Sequence, residues 1–229
     1  MFGRRTRLAA LGAVGLGACA VLAACSPAKI GSAAIVGNQR ITVSSLDTQV
    51  TNLQAAAAPY GSQVQLPSDQ MPAAVLSWLI RFAIEDQMSA NAGISVTQAQ
   101  VQQGVASINS QAASAAEQNG FSSAEAVLLS AGVSPQMLPA LGRYQAQEIA
   151  YAEKVNGGKL PTTTAQNNTV TAALTKAQCT AAKSLNIQVS PQFGRLDYSQ
   201  YAVVPAADTL SRPAGTPSPA DTTGLAPAC

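Results

Sequence analysis

Histidine is absent from the chain, whereas cysteine occurs four times, at positions 19, 25, 179 and 229. The missing imidazole removes the commonest general base and the commonest metal ligand. Ser-His-Asp and Cys-His hydrolysis go with it, as do most zinc and copper sites, so no metal, cofactor or catalytic residue is expected. One pattern points the other way. Ser26-Pro27-Ala28-Lys29 has the S-x-x-K spacing of Ser–Lys hydrolases, whose chemistry needs a buried lysine of lowered pKa beside the serine. In the polar run SPAKIGSAA that burial is missing, and the pattern reads as tether. An enzyme would need chemistry supplied by its substrate or a site built from carboxylates alone, and the chain is read as a non-enzyme.

Arg4, Arg5 and Arg7 precede residues 8–24, a stretch of 17 without a charged side chain. A basic start, an apolar stretch and small residues before a cut are what export requires. A membrane-spanning helix needs about 20 apolar residues, with a lower limit of about 17, but Ala and Gly make up most of this stretch and give little transfer energy. Cleavage is therefore favoured over an uncleaved anchor. Leu16-Gly17-Ala18-Cys19 and Leu22-Ala23-Ala24-Cys25 both resemble the lipobox of bacterial lipoproteins, in which the cysteine is acylated and becomes the first mature residue. A cut at Cys19 would leave AVLAAC, more apolar chain, whereas a cut at Cys25 leaves a flexible polar tether. The expectation is a signal peptide over 1–24, lipidation at Cys25, a tether over 25–32, and attachment to the extracytoplasmic face of the cell membrane. The pair in GRRTRL distantly resembles a twin-arginine signal, and the export route stays open.

The formal charge of +2 turns to −1 once those three arginines are removed. No basic cluster remains, which argues against nucleic acid as a partner, since phosphate contacts need concentrated Lys and Arg. Cys179 and Cys229 would sit where disulfides persist. A bond between them closes a loop of about 50 residues, which a chain-entropy estimate values at about 4 kcal/mol; two free thiols are the alternative.

The elements that position these groups are mainly helical. IGSAAIVGNQRITV, residues 30–43, has β-friendly pieces around Gly37-Asn38, a hairpin turn pair. Ser44 with Asp47 reads as a capping box for a helix carrying Leu46, Val50, Leu53 and Ala57 at helical spacing. Prolines and Gly61 break it over 59–69. Residues 70–91 are apolar nearly all round, with one polar stripe of Ser77, Arg81 and Glu85, which marks a central buried helix. Arg81 and Glu85 are expected as an exposed i,i+4 pair, with a buried pair as the alternative. Thr97 with Gln100 starts the next helix, with Val101, Val105, Ile108 and Ala112 on one stripe; a short helix spans 122–131. Ser134-Pro135 opens another to about Val155. After a linker over 156–164, a last helix runs over 165–185 and places Cys179 about 140° from Leu174, facing solvent or the tail. Residues 187–204 read as one or two short strands able to pair with the hairpin. Residues 205–229, rich in Pro, Ala and Thr, carry too little apolar surface to order themselves.

The hairpin leading into a helix, AAIVGNQRITVSSLDTQV, resembles the start of the SurA-like and PrsA-like extracytoplasmic chaperones. AGISVTQAQV, GVSPQMLPALGRYQAQEIAYAEKV and IQVSPQFGRLD resemble later segments of the same family, in family order, over about residues 30–198. The resemblance implies a mainly α, SurA-N-like domain over 33–204, of about six helices with a small β element formed by an N-terminal hairpin and a C-terminal strand. It also implies a partner class: unfolded or exported polypeptides. Family members with isomerase activity carry a parvulin domain where this chain has the linker 156–164, so binding without isomerase activity is implied. A scaffold lipoprotein holding one folded envelope partner is the alternative. Trp78 and Phe82 are expected in the core. Tyr60 and Met71, beside the proline-containing loop, are the candidate client contacts, since soft and aromatic side chains suit promiscuous binding.

Overall fold

Gly37 and Asn38 turn the chain between two antiparallel strands, β1 (Ser32–Val36) and β2 (Gln39–Thr42), with Val36 opposite Gln39. The computed structural model describes residues 30–64 and 66–205. The expected signal peptide over 1–24 with Cys19, Cys25 and the expected tether as far as residue 29, Gln65, and residues 206–229 with Cys229 lie outside the described residues; Ser32, expected at the end of the tether, is instead the buried first residue of β1. From β2 the chain passes directly into α1 (Val43–Ala57), whose N-cap is Thr42, accepting from the Ser45 N–H. The expected Ser44–Asp47 box is thus displaced by two residues, because β2 delivers its last hydroxyl to the helix start. Leu46, Val50, Leu53 and Ala57 are the buried positions of α1, as their spacing predicts.

A 3-10 turn over Ala58–Gln63 leads towards α2 (Met71–Asn91), the central helix. Val75, Leu76, Ile80, Ile84 and Met88 are almost fully buried, packed with Leu46 and Leu53 of α1 and with Leu129 and Val133. Each such side chain contributes roughly 1.5–3 kcal/mol on burial. Helix α3 (Gln98–Asn119) opens with the expected Thr97–Gln100 capping box and ends at Gly120, whose φ of 73° closes the last turn. Helix α4 (Ala124–Ser130) follows, then α5 (Leu138–Val155). Pro135 does not sit in the first turn of α5. A 3-10 turn over Pro135–Met137 comes first, and the Ser134 hydroxyl is buried without a hydrogen-bond partner instead of capping.

Helix α6 (Thr164–Ser184) begins with a second capping box, Thr163 with Gln166. It packs on both α2 and α5, so its buried arc is wider than one stripe. Cys179, expected on the outer face, is accordingly 4% exposed, although it is not one of the residues of the main core cluster.

The chain's last described segment splits in two. Strand β3 (Gln188–Val189) pairs antiparallel with β1 and completes a three-stranded sheet of order β2-β1-β3. Turn hydrogen bonds from Phe193 N–H to Ser190 and from Gly194 N–H to Pro191 then redirect the backbone. Strands β4 (Arg195–Asp197) and β5 (Ala202–Val204) pair only with each other, as a separate hairpin. The β element of an N-terminal hairpin and a C-terminal strand is therefore present, while the final hairpin docks elsewhere, on α2.

Candidate functional site

Ser77, Arg81 and Glu85 follow one another at four-residue intervals and so line one face of α2, whose first fifteen residues are otherwise apolar. A polar stripe inside a fold must find partners, since an unpaired buried donor or acceptor costs about 1–3 kcal/mol. The first two find theirs in the β4–β5 hairpin. The Val203 N–H donates to Ser77 Oγ at 2.8 Å, while the Ser77 hydroxyl donates to the Ala73 carbonyl at 2.6 Å. Arg81 donates from Nη2 to the Gln200 carbonyl at 2.8 Å and from Nε to the Tyr201 carbonyl at 3.3 Å. Its guanidinium also lies 5.0 Å from the Trp78 ring centroid, within cation–π range.

Arg81 and Glu85 are thus not an ion pair, exposed or buried. Glu85 is fully buried and turns to α6, where Gln178 Nε2 donates to Glu85 Oε2 at 3.0 Å and to Glu148 Oε1 at 3.4 Å. Burial pushes the Glu85 carboxyl up to about 7, with the carboxylates of Glu148 and Asp86 acting in the same direction against the Gln178 hydrogen bond. Glu148 is raised as well, by burial first. Burial and the same two glutamates lift the Tyr144 hydroxyl far above the ordinary tyrosine value. Asp86 is served separately by Arg143 at 2.9 Å and Gln147 at 3.0 Å.

Two recesses flank this stripe. The larger, about 760 Å³, is a groove between the first half of α2 and the last hairpin, with Trp78, Phe193, Ala73, Leu66 and Val203 in its walls. Asp69 and Arg81 also line it, giving it one acidic and one basic group. The smaller, about 170 Å³, contains Glu85, Gln178, Tyr144 and Tyr201. Trp78 and Arg81 line both, so the two recesses are neighbours. Trp78 is held by its indole N–H, which donates to the Ala131 carbonyl at 2.8 Å. Phe82 and Tyr144 pack against it, their ring centroids 5.8 and 6.4 Å from the Trp78 ring.

Phe82 is in the core, as its spacing predicts, but Trp78 is half-buried at the junction of both recesses. Met71, expected at the surface beside the proline-containing loop, is 7% exposed and belongs to the core, because α2 starts at that residue and turns it inward. Tyr60 is half-buried, and its hydroxyl donates to Glu125 Oε2 at 2.8 Å, fastening the 3-10 turn to α4. Cys179 is in a disulfide, and its partner lies outside the described residues. Glu148, Tyr144 and Gln178 carry no sequence signal that singles them out. Glu85 carries one, as a carboxylate on a helix apolar over most of its circumference.

Among the described residues, no group of three His, Cys, Asp or Glu side chains is placed to hold a metal ion. None of their helices is long and apolar enough to cross a membrane. The large apolar side chains standing exposed among them are Ile30 and Leu160.

Fold and groove together define a mainly α-helical domain with an open, aromatic-walled recess on its central helix. Residues 8–147 match the SurA-like N-terminal domain family. This covers more than half of the chain, which belongs to that family. SurA-like N-terminal domains are chaperone-type and non-catalytic, and SurA-like proteins are extracytoplasmic. Neither the curated proteins nor the solved structures contain a match. The family match ends at Gln147 inside α5, so α6 and the hairpin that walls the groove lie beyond it.

Proposed function

We propose that the chain is a lipid-anchored, extracytoplasmic chaperone-like domain that binds unfolded or exported polypeptides and catalyses nothing. The groove beside α2 carries this reading. It is open, about 760 Å³ in volume, and lined mostly by apolar groups with Trp78 and Phe193 among them. Such a recess accepts apolar client segments of differing shape by aromatic packing. Membership of a chaperone-type family supports the same reading.

Acylation of Cys25 would hold the domain at the membrane through the short segment that precedes β1 at Ser32, leaving the groove free to meet chains as they emerge. Cys229 is the proposed disulfide partner of Cys179, which would tie the end of the 205–229 tail to α6. The eight residues 156–163 between α5 and α6 stand where isomerase-bearing relatives carry their extra domain.

The purified chain should suppress aggregation of an unfolded client, and unfolded peptides should shift resonances of Trp78 and Phe193. Failure of both sinks the client-binding reading. Recovery of a single folded envelope partner in stoichiometric amount would instead establish a scaffold. Mass spectrometry of the mature protein tests the anchor: an acylated Cys25 at the N-terminus is expected, and a lipid-free Cys25 or an intact Met1 overturns it.

A further inference from the structure

The smaller cavity beside the groove holds a carboxylate without a complete set of partners. Glu85 is fully buried, Gln178 serves its Oε2, and its Oε1 has no hydrogen-bond partner. Every charged neighbour that could answer it is turned elsewhere or has the same sign. On α2, Arg81 is directed to the Gln200 and Tyr201 carbonyls, and Asp86 is joined to Arg143. On α5, Glu148 shares the single amide of Gln178 with Glu85, and the Tyr144 hydroxyl is hydrogen-bonded to Glu148. From α6 comes Gln178, and from the hairpin Tyr201, both neutral. A buried glutamate with one unpartnered oxygen, beside a second glutamate, requires either a proton or a cation.

The cavity's shape and lining select among cations. About 170 Å³ is several times the roughly 30 Å³ share of one water in the liquid, and Trp78 and Tyr144 stand in its wall, with Arg81 over the Trp78 ring. The Tyr144 ring plus a carboxylate oxygen suit a compact ammonium with three donors. A guanidinium is a poorer fit, since Arg81 already occupies the place over Trp78. A divalent metal needs more ligands than the described residues bring together.

We propose that this cavity is a receptor for one primary ammonium group, the lysine head of a polypeptide lying in the adjacent groove, with Glu85 Oε1 as its anion. The polypeptide part of this statement rests on the client-binding reading; the ammonium part does not. Because Trp78 and Arg81 line both recesses, a chain seated in the groove can send one side chain past them into the cavity. The site would thus favour segments in which apolar residues adjoin a lysine.

Trp78 is the sole tryptophan of the chain and lies in the cavity wall, so its fluorescence reports occupancy. The full chain is titrated with n-butylammonium chloride and, separately, with neutral n-butanol at about pH 8. A saturable response to the amine alone is expected, weakened at least about tenfold by Glu85→Gln and about tenfold by lowering the pH to about 6, where Glu85 holds a proton. Equal responses to amine and alcohol overturn the proposal, as does no response to either. Should Glu85→Gln lose its helical circular dichroism, the pH dependence of the unaltered chain decides, and amine binding that is undiminished at the lower pH overturns the site. A pair of peptides differing by lysine against norleucine separates the two readings. Equal binding of both sinks the ammonium site and leaves the groove standing, whereas butylammonium binding without peptide binding sinks the groove alone.

Discussion

Gly104 of α3 and Gly142 of α5 bring the two helix backbones together: a Cβ on Gly104 would lie 2.2 Å from the Gly142 carbonyl oxygen, and one on Gly142 would lie 2.4 Å from Val105 Cγ2 and 2.7 Å from the Val101 carbonyl oxygen. Neither glycine has a positive φ, so close helix approach, and not turn geometry, requires them. Alanine at either site gains about 0.8–1 kcal/mol of helix propensity. It must also push two backbones apart, and overpacking of this kind costs about 1–3 kcal/mol or more. Gly142→Ala is therefore expected to lower the thermal midpoint by several degrees and to loosen α3 against α5. A midpoint at or above that of the unaltered protein would show that the helices can separate without loss.

The buried Glu85 makes stability depend on pH. Its folded value of about 7 stands above an unfolded value near 4.5, so the folded state holds a proton that the unfolded state has released. By linkage the contribution is fully present below the unfolded value and is lost as the pH rises through the folded one. Denaturant unfolding should show stability falling between about pH 4.5 and 7.5, by up to the order of 3 kcal/mol, with Glu148 acting in the same direction. Glu85→Gln, neutral at every pH, should flatten the profile. An equally steep profile in that variant would move the titration to another group.

Ser77→Ala tests the rail that holds the last hairpin. The substitution removes the acceptor of the Val203 N–H, a buried bond of 2.8 Å, and leaves that N–H unpaired at a cost of about 1–3 kcal/mol. The cost is local. Amide hydrogen exchange should speed up at Ala202 and Val203 and stay unchanged in α3 and α4, which lie on the other part of the fold. Unchanged exchange at Val203 would mean that Arg81 alone secures the hairpin.

Much of this architecture is legible from local patterns, because those patterns act locally. Leu46, Val50, Leu53 and Ala57 mark the buried face of α1, Thr97 and Gln100 cap α3, and Gly37-Asn38 turns the first hairpin. What escapes is set by contacts distant in sequence. The Ser44–Asp47 box yields to Thr42 because β2 ends there, and Cys179 is covered because α6 meets two helices instead of one. The site follows the same division. The spacing of Ser77, Arg81 and Glu85 announces a polar stripe on α2, but nothing local says that Arg81 belongs to a hairpin 119 residues further on. Nor does it say that Glu85 belongs to Gln178. Met71 misleads for a related reason: a proline-containing loop precedes it, yet it is the first residue of α2 and turns into the core.

Gly194 links the hairpin's geometry to the proposed function. Its φ is 119°, and a Cβ there would lie 2.1 Å from the Val204 carbonyl oxygen, so any side chain meets both backbone strain and a collision across the β4–β5 ladder. The collision falls in the wall of the groove, since Gly194, Phe193 and Val203 all line it. Only Val203 of β5 belongs to the main core cluster, and the helices pack with one another independently of β4. Gly194→Ala should therefore displace the hairpin while leaving helical circular dichroism nearly intact. Peptide binding and suppression of client aggregation should fall together, and the emission of Trp78 should shift towards that of a more exposed indole. Retained client binding with a displaced hairpin would place the binding surface away from the groove. Loss of both helix and binding would show instead that the hairpin is part of the fold's cooperative core.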